Sequence, residues 1–323
     1  MLLDGRLKLR HLVLAVTIAE QGSVVKAAEH LHITQPVVTR GLRDLERILA
    51  VELFDRGPRG VTPTVFGEAF LDHARAIIGH VRHIGQHVQE LSDATIGTVT
   101  VGTHLAGSNI LLPRAIAALK AARPRVTVIV RDATPDLLVA GLLAGDIDLA
   151  VGRLTSRQPP ERLQQVRLYE EPIRMVSRLD HPAHRRGVSR LEDLYAYPWI
   201  IPGEQTALRW ELEELFERHQ LALPDDRIEC TSPLTLRTLL VETDAIAALP
   251  FLIVDTDPQI GILPVPLERV THTVGVTLPA DRRPSPAVAM LLRHLYAVAA
   301  DLRRSLAASD DASPRTERVQ RPV

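Results

Sequence analysis

The chain has 323 residues, 46% of them hydrophobic, and 38 Lys and Arg nearly balance 39 Asp and Glu, so that the formal net charge is -1. This length predicts two or three folded domains. No apolar run approaches the roughly 20 residues of a membrane span, and the first residues lack the uninterrupted apolar segment of a signal peptide, so we expect a cytoplasmic protein without a membrane partner. Cys230 is the only cysteine, which excludes an internal disulfide and a multi-cysteine zinc site.

Three amphipathic helices are predicted in the first 50 residues. The apolar side of the first is formed by Leu9, Leu12, Val13 and Val16. The next two are short helices joined by a tight turn, in which Ser23 can cap one helix and Thr34 the other, with Pro36 near its start. Along the last helix, apolar residues recur at spacings of four, three and four: Val38, Leu42, Leu45 and Leu49. The opposite side, with three arginines, is therefore left for solvent or for a partner.

That opposite side has the chemistry of a DNA-reading surface. A major groove admits a helix and presents guanine acceptors that Arg matches with two hydrogen bonds, whereas Gln and Thr suit other base edges or phosphates. The candidate DNA-binding residues of the helices are Ser23, Thr34, Gln35, Pro36, Thr39, Arg40 and Arg43. The alternative is an ordinary solvated helix face. This alternative is less favoured because two short extended segments around a Gly-Pro turn follow the helices. They would form a wing that sets Arg56 and Arg59 against phosphates.

The charge of this region indicates an oligomer. Residues 1–63 contain nine Lys or Arg and seven Asp or Glu, so the difference of nine minus seven is only +2. A monomer with so little net charge would neutralise few phosphates. A dimer doubles those contacts and the counterion release that drives binding.

The residue order from Leu9 to Glu68 resembles that of LysR-type transcriptional regulators. The shared positions are Gly22-Ser23, Ala27-Ala28, Leu31, Thr34-Gln35-Pro36, Thr39-Arg40, Leu45-Glu46, Leu53-Phe54-Asp55-Arg56, Thr62, Gly67 and Glu68. The resemblance implies an α/β protein overall: a winged helix-turn-helix at 1–63, a long linker helix and a two-lobed α/β effector domain similar to periplasmic binding proteins. Double-stranded DNA and a small-molecule effector are the implied partners, with RNA polymerase a further candidate. Ala50 stands where the family usually has a glycine, and since a left-handed alanine costs roughly 1 kcal/mol, we expect this helix to end differently.

One long helix is predicted over residues 64–91. Its seam repeats every seven residues: Phe70, Ile77, Ile84 and Leu91, with Ala74, Val81 and Val88 at the alternate positions. This pattern predicts a coiled coil of about three heptads. The resemblance implies that the helix is an antiparallel dimerisation linker in a homodimer or homotetramer. The seam is flanked by His73, His80, His83 and His87, for which a solvated flank is favoured over a metal or pH site because no second ligand type lies at ligand spacing.

After a polar hinge at 92–97, the pattern changes to alternating strands and helices. The predicted order is strand 98–102, helix 111–122, strand 126–132, helix 137–144 and strand 148–152, which implies a parallel sheet with right-handed crossovers. A second unit has strands at 173–177, 199–201 and 227–231 and helices at 208–219 and 234–242. Strand 273–278 and helix 287–306 return to the first unit.

Two lobes joined by two crossings would enclose a closing cleft. Lobe I comprises 98–169 and 273–306, and lobe II comprises 170–272. The tail at 307–323, rich in Ser, Asp, Arg and Pro, is predicted to be disordered.

Ligands of open parallel sheets lie beyond the carboxyl ends of the strands. The residues at these ends are Thr103, His104, Thr134, Gly152, Pro202, Gly203, Thr231 and Ser232. Together with nearby Arg153 they predict a site for a small anionic or polar metabolite. Thr134 and Ser232 precede prolines, and capping of their own helices is an equally good interpretation. The family commonly has Ser or Thr at positions 104 and 106, where this chain has His104 and Ala106, so we expect the effector pocket to have diverged.

Two other classes of protein fit the sequence less well. An enzyme would need a reactive constellation, and no nucleophile elbow, His-Glu-x-x-His motif, phosphate loop or glycine fingerprint stands in this sequence. A solute-binding transport protein could be built from residues 98–305, but the attached helix-turn-helix disfavours it. We therefore expect a transcriptional regulator without catalytic residues, cofactor or metal.

Overall fold

The computed structural model describes residues 5–57, 60–92, 97–104, 110–154, 160–267 and 270–312. Its N-terminal domain contains helices α1 (Leu9–Gln21), α2 (Val24–His30) and α3 (Gln35–Leu49), followed by the antiparallel strands β1 (Phe54–Gly57) and β2 (Gly60–Pro63). Val38, Leu42 and Leu45 are fully buried and Leu49 is half-buried. The predicted helices, wing strands and inner face of α3 are confirmed.

The end of α3 differs from the expectation. Ala50 adopts a left-handed conformation with φ of 56°, and its N–H donates to the carbonyl of Glu46. The Glu46 carboxylate in turn accepts the N–H of Leu53 at 3.0 Å. The prediction that the helix ends differently without glycine is therefore wrong, because these hydrogen bonds hold the chain in the turn that leads to the wing, although alanine disfavours it by about 1 kcal/mol.

The wing packs tightly against the turn after α1. Gly60 has φ of 122°, and a Cβ atom at this position would lie 2.5 Å from the carbonyl oxygen of Gly22. The next residue, Val61, donates its N–H to that same oxygen at 3.0 Å. Glycine at position 60 is thus required both by its conformation and by this close approach.

Helix α4 (Val65–Ser92) connects the two halves of the chain. Its first turns belong to the N-terminal domain, where Leu71 and Ala74 are buried. Further along, Gly79 packs against the end of helix α6 (Pro135–Ala144), so closely that a Cβ atom would lie 1.9 Å from the carbonyl oxygen of Ala144. One turn later, Arg82 forms an ion pair with Asp146 at 2.5 Å. Helix α4 is therefore held against the C-terminal domain as well.

The histidines of α4 are not alike. His73 is exposed, whereas the side chain of His83 is 19% exposed and lies 3.9 Å from the carboxylate of Asp148. The interpretation as a solvated flank is therefore wrong for His83, because α4 packs on the C-terminal domain there. The side chain of His87 lies outside the described residues. Within the described ranges, no group of three or more His, Cys, Asp or Glu residues is arranged to hold a metal ion.

The C-terminal domain is an α/β structure with one large sheet. Its strands are β3 (Gly97–His104), β4 (Val126–Asp132), β5 (Leu149–Arg153), β6 (Leu163–Arg178), β7 (Trp199–Ile201), β8 (Arg227–Glu229), β9 (Ile246–Pro250), β10 (Ile260–Ile262) and β11 (Thr271–Pro279). Its helices are α5 (Leu111–Ala122), α6, α7 (Pro182–Arg186), α8 (Leu191–Leu194), α9 (Ala207–Arg218), α10 (Pro233–Glu242), α11 (Phe251–Asp255) and α12 (Pro286–Ala312). The sequence pattern missed β9, β10 and the three shortest helices.

The strand order is β4-β3-β5-β11-β6-β9-β7-β8, with β10 beside β6. Strand β3 is parallel to β4 and β5, as predicted, and β7 is parallel to β8 and β9. Strand β11, however, is antiparallel to β5 and β6. The sheet is therefore mixed rather than parallel, because β6 and β11 carry the chain between the lobes in opposite directions.

The lobes meet where β6 and β11 pair. Glu170 lies opposite Thr273 and Glu171 lies opposite His272 in the register of these strands. One apolar core, which includes Val101, Leu149 and Val276, lies on the lobe I side. A second core, around Trp199 and Phe216, fills lobe II. The predicted limits of the lobes, 169/170 and 272/273, fall at this pairing.

Two predicted boundaries move. Helix α12 continues to Ala312, so the prediction of disorder is wrong for residues 307–312, where Ala, Ser and Asp extend the helix. Residues 313–323 of the predicted tail lie outside the described residues. Helix α4 extends to Ser92 and β3 begins at Gly97, which leaves only 93–96 of the predicted hinge, also outside the described residues. No helix among the described residues is both long and apolar enough to cross a membrane.

Candidate DNA interface and effector site

The helix-turn-helix presents most of its predicted DNA-binding side chains to solvent. Thr34, Gln35, Pro36, Arg40 and Arg43 are exposed on the side of α3 opposite its buried stripe, and Thr39 and Ser23 are half-buried. Ser23 caps α2 by accepting the N–H of Lys26 at 3.5 Å. Thr34 occupies the cap position of α3, but its side chain makes no capping hydrogen bond, which leaves the hydroxyl available to a partner.

The three arginines of α3 differ in their partners. The guanidinium of Arg47 forms an ion pair with Asp44, three residues earlier on the same helix. Neither Arg40 nor Arg43 forms an ion pair within the part of the chain that the structure describes. These two guanidinium groups therefore keep all their donors for a ligand, and they lie one turn apart, in the middle of α3.

The wing carries the remaining two candidates. Arg56 belongs to β1, which pairs with β2 at Val61. The side chain of Arg56 and all of Arg59 lie outside the described residues, so their contact with phosphates stays a prediction.

The residues predicted to bind the effector in lobe I lie at the ends of neighbouring strands, but not all are free to bind. His104 lies opposite Gly152 in the pairing of β3 with β5. Thr103 is buried and donates its hydroxyl to the carbonyl of Val151 at 3.0 Å. Thr134 is half-buried at the start of α6 without a side-chain capping bond. The Nε2 atom of His104 is buried and lacks a hydrogen-bond partner in the described ranges, and burial lowers the pKa of this histidine.

The candidates of lobe II have mostly structural partners. Ser232 accepts the N–H of Thr235 at 3.4 Å and so caps α10, which is the alternative role foreseen for it. The carbonyl oxygen of Pro202 accepts a hydrogen bond from Nη1 of the buried Arg209 at 3.2 Å. A Cβ atom at Gly203 would lie 2.9 Å from the exposed Thr231. Gly203 and Thr231 are thus brought together at this end of the sheet.

An ion pair that sequence reasoning missed connects the lobes. Arg153, at the end of β5 in lobe I, bonds to Glu211 on α9 in lobe II. Both side chains are largely shielded from solvent, with exposed fractions of 19% and 28%. Each also has a buried atom without a hydrogen-bond partner among the described residues, Nη1 of Arg153 and Oε2 of Glu211.

Three further polar side chains are buried beside this ion pair: Tyr169, Glu171 and His272. The Glu171 carboxylate accepts the N–H of Leu252 at 3.0 Å. The hydroxyl of Tyr169 and both ring nitrogens of His272 lack hydrogen-bond partners within the described parts of the chain. No motif marks these residues, because β6 and β11, which align them, are about a hundred residues apart.

Burial shifts the pKa values of this cluster. Desolvation raises the pKa of Glu171 to about 7, opposed by its hydrogen bond from Leu252. It lowers the pKa of His272 to about 3, assisted by the positive charge of Arg153, and it raises the pKa of Tyr169, assisted by Glu171. The carboxyl, imidazole and phenol thus favour their neutral forms, which makes the cluster an arrangement of hydrogen-bonding groups around one ion pair.

Known proteins combine two such domains in one chain. Residues 9–68 match the model for the bacterial regulatory helix-turn-helix proteins of the lysR family, and residues 92–300 match the LysR substrate binding domain. The HTH-type transcriptional regulator PcaQ of Agrobacterium fabrum is 33% identical over 304 residues, which cover 93% of this chain and 98% of that protein. GbpR of Azospirillum brasilense is 30% identical over 309 residues, 94% of this chain and 90% of that regulator.

Solved structures agree in fold. The crystal structure of CbnR, a LysR family transcriptional regulator, aligns with a TM-score of 0.63 at 24% identity, over 91% of this chain and 99% of CbnR. Full-length OxyR from Pseudomonas aeruginosa aligns with a TM-score of 0.65 at 23% identity, over 90% of this chain and 97% of OxyR. The chain belongs to the LysR family of transcriptional regulators, with a helix-turn-helix that binds DNA and a two-lobed effector-binding domain.

Proposed function

We propose that this regulator reads its operator through the exposed side of α3. Arg40 and Arg43 would contact guanine edges, and Gln35, Thr34 and Thr39 would contact other bases or phosphates. Ser23 and Pro36 would lie against the DNA backbone, as would Arg56 and Arg59 of the wing. The observation that carries this proposal is that Arg40 and Arg43 form no ion pair with any described residue, on a helix whose other side is fully buried.

We propose that α4 makes the dimer. Four branched apolar residues of α4 are exposed to solvent: Ile77, Val81, Ile84 and Val88. Their exposed fractions lie between 44% and 62%. A stripe of branched apolar side chains in water is unfavourable, and a second copy of α4 would cover it. Phe70 and Ala74, from the same predicted seam, pack instead within the N-terminal domain, so the dimer seam would use mainly the second half of the helix.

The effector site is proposed in the cleft between the lobes. A small anionic or polar metabolite would contact Thr103, His104 and Thr134, along with the loop after Ile201. Gly152, Pro202, Gly203, Thr231 and Ser232 remain the other candidates. Because the walls of the cleft belong to different lobes, a ligand binds open and closed arrangements unequally and shifts their populations. The proposed domain division is the winged helix-turn-helix at 1–63, the linker helix from residue 64 to Ser92, and the two-lobed effector domain from Gly97 to the end of α12.

The proposal excludes an enzymatic role. Its support is that the similar proteins are transcriptional regulators. The place of action would be the cytoplasm, where a bacterial regulator meets its DNA. RNA polymerase would be a further partner in transcription, as the family suggests.

The direct test is a gel shift with DNA from upstream of the chain's own gene. We expect a specific complex, and the absence of any complex would overturn the regulator proposal for these residues. A metabolite library is then screened for thermal stabilisation, because a ligand selective for the native state raises the melting temperature. Footprinting with a stabilising metabolite should show altered half-site spacing or bending, whereas an unchanged footprint would remove the proposed coupling.

A further inference from the structure

The ion pair between Arg153 and Glu211 holds the two lobes together in a polar but poorly satisfied site. Arg153 reaches from the end of β5, and Glu211 from α9 on the other lobe. Nη1 of Arg153 and Oε2 of Glu211 are buried without partners in the described ranges. A buried polar atom without a hydrogen bond costs free energy, so the Arg153–Glu211 ion pair leaves part of the hydrogen-bonding capacity of both side chains unsatisfied.

The strand register brings more unsatisfied groups to the same face of the sheet. Val274 of β11 lies between Arg153 on one side and Tyr169 on the other. His272, two residues earlier on β11, therefore lies on that same face, opposite Glu171. Tyr169 and His272 are 4% and 3% exposed, and their polar atoms lack partners among the described residues.

Most of these unsatisfied groups are hydrogen-bond donors, so a ligand that satisfies them must supply acceptor oxygens. Arg153 Nη1 can only donate, the Tyr169 hydroxyl has a proton to donate, and neutral His272 carries one N–H. Against these donors stands the second oxygen of Glu211, while one oxygen of Glu171 already accepts the N–H of Leu252. A planar group with two acceptor oxygens suits a guanidinium best, and Glu211 demonstrates that a carboxylate fits there.

We propose that Glu211 is an internal substitute for the effector, occupying on Arg153 the position that a carboxylate of the effector takes. This inference rests on the proposed effector cleft and gives it a ligand class and a mode of regulation. A ligand carboxylate displaces Glu211 from Arg153, and its other atoms extend towards Tyr169 and His272. Loss of the ion pair frees α9, so lobe II changes its position relative to lobe I.

An internal competitor sets the concentration at which the protein responds. A carboxylate tethered within the same chain acts at a high effective concentration, and an external ligand has to outcompete it. Removing Glu211 should therefore increase the affinity for carboxylates without adding any new contact. Removing Arg153 should abolish that affinity.

The test is chemical rescue of the full-length Glu211→Ala variant by acetate, compared with chloride at equal ionic strength and with neutral acetamide. We expect acetate to raise the melting temperature of Glu211→Ala by several degrees more than chloride does, and acetamide to have no such effect. Glu214→Ala is the matched control, because Glu214 is an exposed carboxylate on the same helix. Wild type and Glu214→Ala should respond equally to acetate and chloride.

The proposal is overturned if acetate stabilises Glu211→Ala no better than chloride does, or if its benefit persists in the Arg153→Gln, Glu211→Ala double variant. Should Glu211→Ala fail to accumulate in folded form, Glu211→Ser provides the same space with a polar side chain and the same expected outcome. The two ideas fail separately. A wild-type chain that leaves no footprint on its operator overturns the proposed function, whereas acetate acting like chloride overturns the carboxylate position on Arg153.

Discussion

The DNA-binding helix and the cleft between the lobes expose their polar groups in opposite ways. Arg40 and Arg43 stand in water on the outside of a well-packed helix. Glu171 and His272 are 2% and 3% exposed, inside the junction of the lobes. A solvated charge costs little until a phosphate or base replaces its water, whereas a buried polar group influences stability even without a ligand. The first region is thus prepared for a large charged partner, and the second stores free energy that a small ligand can release.

The largest effect is expected at α4, because this helix connects the two regions and is proposed to form the dimer. Changing Ile77 and Ile84 to Glu together should dissociate the dimer, because four carboxylates would face each other across the seam of two helices. We expect sedimentation of the full-length double variant to show at least a twofold loss of mass. Its affinity for the operator should fall by more than tenfold, because each copy alone contacts one half-site.

His73→Glu is the control for this change. His73 is also exposed on α4 but lies outside the seam, so its replacement should leave the assembly intact. An unchanged mass for the Ile77 and Ile84 double variant would place the principal dimer contact in the effector domain instead.

The next largest effect concerns the buried carboxyl of Glu171, whose pKa is raised to about 7 in the folded chain from an ordinary 4.5. Above pH 4.5 the unfolded chain loses this proton while the folded chain retains it, so stability falls as the pH rises from 4.5 to 7 and is level above that. The full difference is about 3 kcal/mol. Glu171→Gln keeps an oxygen for the Leu252 N–H and should be more stable than wild type by that amount at pH 8, and nearly equal to it at pH 4.5.

Urea unfolding between pH 4.5 and 8, followed by the fluorescence of the buried Trp199, measures this difference. Glu170→Gln is the matched control, since the neighbouring carboxylate is largely exposed beside Arg167. A constant difference between Glu171→Gln and wild type across the pH range would contradict the raised pKa.

The sequence predicts a region well when its interactions join residues that are close along the chain, and poorly when they join distant ones. The inner stripe of α3 and the cap at Ser23 are set by neighbours within a few residues, so periodicity alone located them. The pairing of Glu171 with His272 depends on the register of β6 and β11, and the ion pair of Arg153 with Glu211 depends on the docking of the two lobes. Alternation along one strand does not reveal which distant strand lies beside it. For Arg153 the sequence therefore indicates a charge near the site but no partner. Even on α4, the heptad pattern did not show that Ala74 packs within its own chain.

A smaller effect should sharpen the assignment of the reading surface. Arg43→Ala should weaken binding to the operator and relax the base preference at one position, because a bidentate contact to guanine is worth about 1–3 kcal/mol of discrimination. Titration against a set of operators with single base changes measures this discrimination. Binding to non-specific DNA should change much less.

Arg47→Ala is the matched control on the same helix, because Arg47 is held by Asp44. Its replacement should affect all sequences alike, as should Arg59→Ala in the wing. If Arg43→Ala also weakens binding to every sequence equally, Arg43 contacts a phosphate and does not read a base.

The smallest effect concerns the end of α3, where Ala50 adopts a left-handed conformation with φ of 56°. Ala50→Gly should stabilise this end of the helix by up to about 1 kcal/mol, since glycine adopts that conformation without strain but loses more entropy on folding. Hydrogen exchange of the amides of Ala50 and Val51, both donors to Glu46, should slow by severalfold. Ala19→Gly inside α1 should instead accelerate local exchange, because glycine is unfavourable within a helix. Faster exchange at Ala50→Gly would mean that the hydrogen bonds that Ala50, Val51 and Leu53 donate to Glu46, rather than the backbone conformation of residue 50, dominate the stability of this turn.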